Sequence, residues 1–118
     1  MAIAVKRKLS GSTDGKPIKV AATATPGTAL HTAVAGTTAG TYDEVWLWVQ
    51  NNHTEDVVLT IEFGSNSTDD NIVRTIPHQS GLIPIIPGLP LQNAATVKAF
   101  ASVADVLSIV GFVNAITD

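Results

Sequence analysis

The apolar stretch over residues 94–116 constrains the fold of this chain more than any other segment. It carries only two charged residues, Lys98 and Asp105, so something must cover it. In a membrane both charges would lie in the bilayer, at about 2.5–3.5 kcal/mol each near its centre. Its many β-branched residues and the interior Gly111 disfavour a helix. The pattern therefore predicts a hairpin, with strands over residues 95–101 and 106–116 and a turn at residues 102–105.

The second strand of this predicted hairpin is apolar on both of its faces. With period-two alternation, Leu107, Ile109 and Val113 share one face, and Val110 and Phe112 share the other. A strand with two apolar faces is typical of a sheet that is buried on both of its faces. We therefore expect one face to pack in the core and the other to meet a neighbouring subunit.

The clearest alternation elsewhere lies in residues 43–50 and 57–63. In the first, Val45, Leu47 and Val49 point to one side, and Trp46 and Trp48 point to the other. The second has the same period, and the polar residues 51–56 between them predict a hairpin loop. Residues 77–90 hold four prolines, which cannot donate to a sheet ladder, so they predict an edge strand or an irregular crossing.

These segments predict an all-β fold, an antiparallel β-sandwich of jelly-roll-like type with seven to nine short strands. The length of 118 residues fits one domain. We divide the chain into an extended basic N-terminal arm with its loop, residues 1–16, and a single sandwich domain, residues 17–118. Charged residues make up 14% of the chain, against about a quarter in typical domains, which indicates that assembly hides part of the surface.

Basic residues are concentrated near the N-terminus. Five of the seven lie in the first 19 positions: Lys6, Arg7, Lys8, Lys16 and Lys19. The arm is predicted either to be solvated or to dock on an acidic patch of this domain or of a partner. It contains no interleaved aromatic residue and the net charge is −3, so we expect no direct nucleic-acid partner. A very short apolar run precedes the charges, the reverse of a secretory signal, which predicts a chain made in a cytoplasm or released by lysis, without a membrane partner.

No constellation of residues indicates catalysis. The chain has no cysteine, and His31, His53 and His78 lie far apart without metal-ligand spacing. His31 is predicted to be a hydrogen-bonded structural residue, and the acidic loop at residues 67–71 lacks the spacing of a calcium loop. We therefore predict a protein that is not an enzyme, with no catalytic residues, no cofactor and no metal.

Trp46 and Trp48 admit two interpretations. Lying on the face away from the presumed core, they could cover a contact between protomers, which the low charge favours. Alternatively they could form a stacking platform for sugar, flanked by Glu44 and Gln50, as in carbohydrate-binding modules.

The C-terminal third resembles the ending of small virion proteins of tailed bacteriophages. The resemblance rests on residues 88–91 (GLPL), 97–102 (VKAFAS), 104–107 (ADVL) and 111–114 (GFVN). In that family, a glycine-leucine segment and two such strands close a β-sandwich. The residues before position 40 carry no such match, so no role for the arm follows from the family.

This resemblance implies a structural component of a phage particle, most like a capsid decoration (cement) protein. Such a protein is made in the host bacterial cytoplasm, lies on the capsid surface of the virion and binds the major capsid protein, often as a homotrimer. We expect Lys6, Arg7 and Lys8 to contact the capsid, and Trp46, Trp48 and Phe112 to contact neighbouring protomers. The alternative is a tail, fibre or head–tail connector component, such as a β-sandwich module that binds host glycan through Trp46 and Trp48.

Overall fold

The computed structural model describes residues 2–118, which form nine β-strands and one short 3-10 turn. The strands are β1 (Ile3–Lys8), β2 (Ile18–Lys19), β3 (Thr28–Thr32), β4 (Tyr42–Asn51), β5 (Val57–Gly64), β6 (Asn71–Ile76), β7 (Ile83–Leu91), β8 (Thr96–Ala101) and β9 (Leu107–Thr117). The 3-10 turn spans Thr68–Asp70. These residues contain no α-helix, and so no helix among them is long and apolar enough to cross a membrane. The predicted all-β class is confirmed.

The strands form two antiparallel sheets that pack face to face. Sheet A has the order β1-β9-β4-β7, and the short β2 also pairs with β9. Sheet B has the order β3-β8-β5-β6. All of the pairs are antiparallel, which confirms the predicted sandwich.

The core lies between the sheets, where the period-two pattern places it. Val45, Leu47 and Val49 of β4 are fully buried, as are Leu59 and Ile61 of β5. Burying each such side chain contributes about 1.5–3 kcal/mol to folding before entropy is counted. The inner face of β9 was also predicted correctly, because its core-facing residues are all buried: Leu107, Ile109 and Val113.

Both predicted hairpins are wrong. β4 lies in sheet A and β5 in sheet B, and likewise β8 lies in sheet B and β9 in sheet A. Each connecting loop therefore crosses from one sheet to the other. A crossing lets the apolar faces of two consecutive strands meet across the core, whereas a hairpin would leave them side by side in one sheet. Periodicity identifies the faces but does not distinguish these two arrangements.

β7 is the edge strand that its prolines predict. It pairs with β4 on one side only, and its register shifts between Val45 and Trp46 and again between Leu47 and Trp48. These irregularities allow prolines to occupy the strand. β7 therefore forms one edge of sheet A, and its prolines leave few backbone N–H groups unpaired along that edge.

His31 links the two sheets through a buried hydrogen-bond chain. Its Nδ1 accepts the backbone N–H of Ser10 at 3.0 Å, and its Nε2 lies 2.7 Å from Oδ2 of Asp43 on β4. Because a backbone N–H can only donate, Nδ1 carries no proton and Nε2 donates to the carboxylate. His31 thus joins β3, β4 and the segment after β1, the hydrogen-bonded structural role predicted for it.

The predicted arm, residues 1–16, contains both exposed and buried parts. All six residues of β1 are exposed, although β1 pairs in register with β9 from Ile3 to Lys8. Leu9, directly after it, is 1% exposed and lies in the core. Met1 lies outside the described residues. The basic segment is therefore an edge strand of sheet A, anchored by Leu9.

Candidate functional site on the outer face of sheet A

The outer face of sheet A brings together residues that are distant in sequence. Alternate side chains of β4 and β9 point away from the core. The register pairs Trp46 with Phe112 and Trp48 with Val110. On the other side of β9, Lys8 pairs with Phe112 and Lys6 with Asn114. Two predicted sites, the basic segment and the aromatic residues, are therefore neighbours on one face.

Trp46, Trp48 and Phe112 form what we call the aromatic platform. The ring centroids lie 6.3 Å apart for the two tryptophans, 6.2 Å for Trp46 and Phe112, and 5.9 Å for Trp48 and Phe112. The ring planes differ by only 16° to 26°. Three nearly equal distances describe a triangle rather than a column of rings. Rings this close with nearly parallel planes are offset-stacked, and each is half-buried.

Gly88 of β7 fixes how the indole of Trp46 lies. A Cβ placed on Gly88 would be 2.7 Å from Cζ2, 2.8 Å from Cε2 and 3.2 Å from Cη2 of that ring. Similar distances to three consecutive ring atoms place the Cβ position over the ring face, not beyond its edge. One face of the indole thus rests on the backbone of β7, and the nearly parallel Phe112 ring lies on β9, on the other side of β4. The other two rings are nearly parallel to it and share its orientation.

Glu44 borders the platform with an oriented carboxylate. Its Oε1 accepts Trp46 Nε1–H at 2.7 Å and Asn114 Nδ2–H at 3.0 Å. Both bonds lower the pKa of the Glu44 carboxyl and so favour its ionised form, and the bond from Asn114 has the larger effect. Both bonds end on Oε1, and among residues 2–118 no hydrogen bond to Oε2 occurs. The second oxygen is therefore available to a donor from outside.

The three basic residues of β1 have separate positions. Lys6 Nζ lies 4.2 Å from the centroid of the Phe112 ring, within the range of a cation–π contact. Lys8 Nζ donates to the backbone oxygen of Ser12 at 3.1 Å. Arg7 pairs with the core residue Val113 and so points to the opposite side of β1. Of the predicted site residues, Lys6, Trp46, Trp48 and Phe112 come together, whereas Arg7 does not join them.

An open surface pocket of about 610 Å³ lies at the end of sheet A where β4 begins and β7 ends. It is lined by Tyr42, Pro90, Leu91 and Gln92. Glu44 connects this pocket and the platform, because it lies two residues after Tyr42 on β4 and pairs with Pro90 of β7.

Sequence reasoning missed two residues of this site, Asn114 and Gly88. Asn114 shares a face with Phe112 by simple alternation, which is a usable signal once β9 is known to pair with β4. Gly88 lies in a proline-rich segment whose register shifts, and the sequence offers no sign that an indole rests on it. In the part of the chain that the structure describes, no group of three histidine or acidic side chains could hold a metal ion.

Comparisons of the chain with protein-family models, with curated protein sequences and with solved structures find no match. The resemblance to phage virion proteins therefore stays a prediction, as does the expectation that neighbouring protomers share the aromatic residues.

Proposed function

We propose that this chain is a non-enzymatic structural protein of a bacteriophage virion. In this proposal it decorates the capsid surface, binds the lattice of the major capsid protein and stabilises it as an oligomer, with a trimer favoured. The sequence resemblance supports the proposal, since three of its segments fall on β7, β8 and β9 and the fourth, residues 104–107, lies in the connection that leads into β9.

The observation that carries the proposal is the exposure of β1. Ile3 is 59% and Val5 is 45% exposed on the side of β1 that continues the core face, while Lys6 and Lys8 lie on the other side. β9 is the only strand with which β1 pairs among the described residues, so its other edge is open. Open edges with apolar side chains promote association unless they are covered or charged. A partner surface with acidic groups and an apolar patch would complement this strand.

The mechanism that we propose is mechanical. A protein that binds the expanded lattice more tightly than the unexpanded lattice shifts the population toward the expanded state. The stabilisation from each bound copy grows with its concentration relative to its dissociation constant, and it is multiplied over many copies. The basic residues of β1 would add electrostatic attraction that salt weakens.

The charges of β1 provide the test. We expect Lys6→Glu/Lys8→Glu to lower the occupancy of the protein on capsids assembled from the major capsid protein of the same genome. The control is Lys16→Glu/Lys19→Glu, which changes the net charge equally at exposed positions outside β1, in and before β2, the short strand that also pairs with β9. Occupancy is measured by co-sedimentation with the capsids at two salt concentrations. Equal occupancy for both double variants would exclude β1 as the capsid contact.

Oligomeric state is tested separately by sedimentation equilibrium of the free protein at micromolar concentration. A trimer is the expected result. A monomer at these concentrations would contradict the trimer while leaving the capsid contact to be judged from occupancy.

A second candidate function is a tail, fibre or head–tail connector component that binds glycan. The observation that favours glycan binding is the group of three half-buried aromatic rings beside the Glu44 oxygen that accepts no hydrogen bond within residues 2–118.

A further inference from the structure

We infer that β6, the free edge of sheet B, pairs with β6 of a second copy of this chain, antiparallel and centred on Val73. The contact is two-fold symmetric and weak. It goes beyond the proposed function, because a two-fold contact at β6 supplies neither the capsid contact nor the proposed trimer. Variants of β6 therefore test it independently of the variants of β1.

The other three edge strands of the sandwich carry features that prevent or occupy pairing. β1 has three consecutive basic residues, and β7 has its prolines and register shifts. The segment after β1 lies along β3, where Gly11 N–H donates to the Leu30 oxygen at 2.9 Å and Ser10 Oγ accepts Thr32 N–H at 2.7 Å. β6 pairs with β5 alone and has no such cover within residues 2–118.

The outer edge of β6 presents backbone groups that are ready to pair. Val58 of β5 has both its N–H and its C=O bonded to Ser102, on the β8 side. Its partner Thr75 on β6 therefore directs its own N–H and C=O away from β5, and by alternation so do Val73 and Asn71. Among residues 2–118, no hydrogen bond from outside the two strands reaches the backbone of Val73 or Thr75.

A register centred on Val73 brings these outward groups together. It opposes Val73 with its own copy and Asn71 with Thr75 of the second copy, so that residues with outward groups meet each other. Val73 is 61% exposed, more than any other large apolar side chain in the described part of the chain, and the second copy covers it. Centring the pair on Arg74 would instead place two like charges opposite each other.

The charge in the middle of β6 is compatible with this register. Arg74 is the only charged residue of β6, and its Nη1 donates to the Pro84 oxygen of β7 at 2.9 Å. In the pair, Arg74 opposes Ile72 of the second copy, and Asp70, two residues earlier, is its diagonal neighbour. Opposite charges of the two copies therefore approach each other twice.

The charges at the ends of β6 limit the affinity. Asp69 of each copy approaches the end of the other β6, where the Asp56 carboxylate lies 3.1 Å from the His78 ring. These acidic side chains are exposed, so salt screens their repulsion. Stable interfaces bury about 1,200–2,000 Å² in total, far more than two strand edges can. We therefore expect pairing well above micromolar concentration, or where a capsid surface crowds the copies together.

Single cysteines test the contact, because the chain has none of its own. In Val73→Cys, the two Cα atoms of the pair are expected to lie about 5.5 Å apart. Thr75→Cys is the matched control, exposed on the same strand and face, but its two copies lie four residues apart along the pair, about 14 Å. A short bismaleimide is expected to join Val73→Cys chains into dimers about tenfold faster or more than Thr75→Cys chains.

A second pair of variants tests the association itself. Val73→Lys places like charges opposite each other at the centre of the pair. Val58→Lys is the control, since this residue is 40% exposed on the same face of sheet B but lies on β5, away from the edge. Sedimentation equilibrium from micromolar to millimolar concentration measures the average mass. We expect it to rise up to twofold with concentration in Val58→Lys and to stay constant in Val73→Lys.

Three results would overturn the inference. They are equal cross-linking of the two cysteine variants, equal association of the two lysine variants, and cross-linking in a mixture of Val5→Cys and Val73→Cys chains without cross-linking of Val73→Cys alone. The last would assign the edge to β1 of a neighbouring copy. None of them decides the proposed function, because capsid occupancy is measured separately with the β1 variants.

Discussion

At residue 88 the backbone of β7 has a positive φ of +76°, and the indole of Trp46 occupies the space where a side chain would begin. Glycine meets both conditions, because it tolerates positive φ and has no Cβ. The orientation of one ring, and through it the shared orientation of the platform, therefore depends on the absence of a single carbon atom on a neighbouring strand.

Replacing Gly88 should lower the free energy of unfolding by more than the strain of its positive φ alone. Gly88→Ala is expected to lower the free energy of unfolding by about 1–2 kcal/mol for the positive φ and by about 1–3 kcal/mol more for the clash with Trp46. The matched control is Gly81→Ala, where φ is +75° and no atom lies within 4 Å of the added carbon. Urea denaturation measures both. Equal losses would show that Trp46 moves aside without cost.

Residue-scale features could be predicted from the sequence only in part. Alternation correctly placed Val45 in the core and Trp46 on the opposite face. It did not indicate that Lys6 would lie over Phe112, because that contact depends on which strands are neighbours. Ring orientation depends on Gly88, which lies in another strand after a register shift.

At the scale of elements, Asn51 stabilises the crossing from β4 in sheet A to β5 in sheet B. Its side chain is buried, and Nδ2 donates to the backbone oxygens of Glu55 and Ile76 at 3.1 and 2.9 Å. Oδ1 accepts the backbone N–H of His53 at 2.8 Å. One side chain thus satisfies three backbone groups of the crossing and of the end of β6.

Removing this amide should destabilise the sandwich strongly. Asn51→Ala leaves buried backbone groups without partners, and is expected to lower the free energy of unfolding by about 2–4 kcal/mol. Asn52→Ala, the same replacement at the exposed neighbour, is expected to change it by less than about 0.5 kcal/mol. Thermal or urea unfolding monitored by circular dichroism provides the comparison. Similar values for both would mean that water replaces the lost amide.

Strands could be predicted from the sequence, but their partners could not. Residues 43–50 and 57–63 were recognised because their period is two, and both strands occur. A polar loop of the length of residues 51–56 is compatible with a hairpin and with a crossing between sheets. The choice is made by contacts across the core and by Asn51, neither of which a local pattern contains.

At the scale of the whole molecule, β1 belongs to sheet A but contributes little to the core. Its six side chains are exposed, and the core begins with Leu9. The backbone hydrogen bonds between β1 and β9 are offset by the entropy lost in ordering the strand. The sandwich should therefore fold without it.

Deletion of residues 2–8 is expected to preserve cooperative unfolding and to lower the free energy of unfolding by less than about 2 kcal/mol. Leu9→Ala, in contrast, is expected to lower it by about 2–5 kcal/mol, because it removes a buried side chain. Both are measured by urea denaturation. A larger loss for the deletion than for Leu9→Ala would show that β1 supports the core through β9.

The position of β9 in sheet A has a consequence for synthesis on the ribosome. β9 follows all the other strands in sequence, yet it lies between β1 and β4 and also pairs with β2. All four strands of sheet B are translated before it, whereas β1 and β2 have no other partner strand within residues 2–118. Domains generally fold as units as they emerge during translation. Here sheet B can form early, but the basic segment has no partner strand within the chain until β9 has left the exit tunnel.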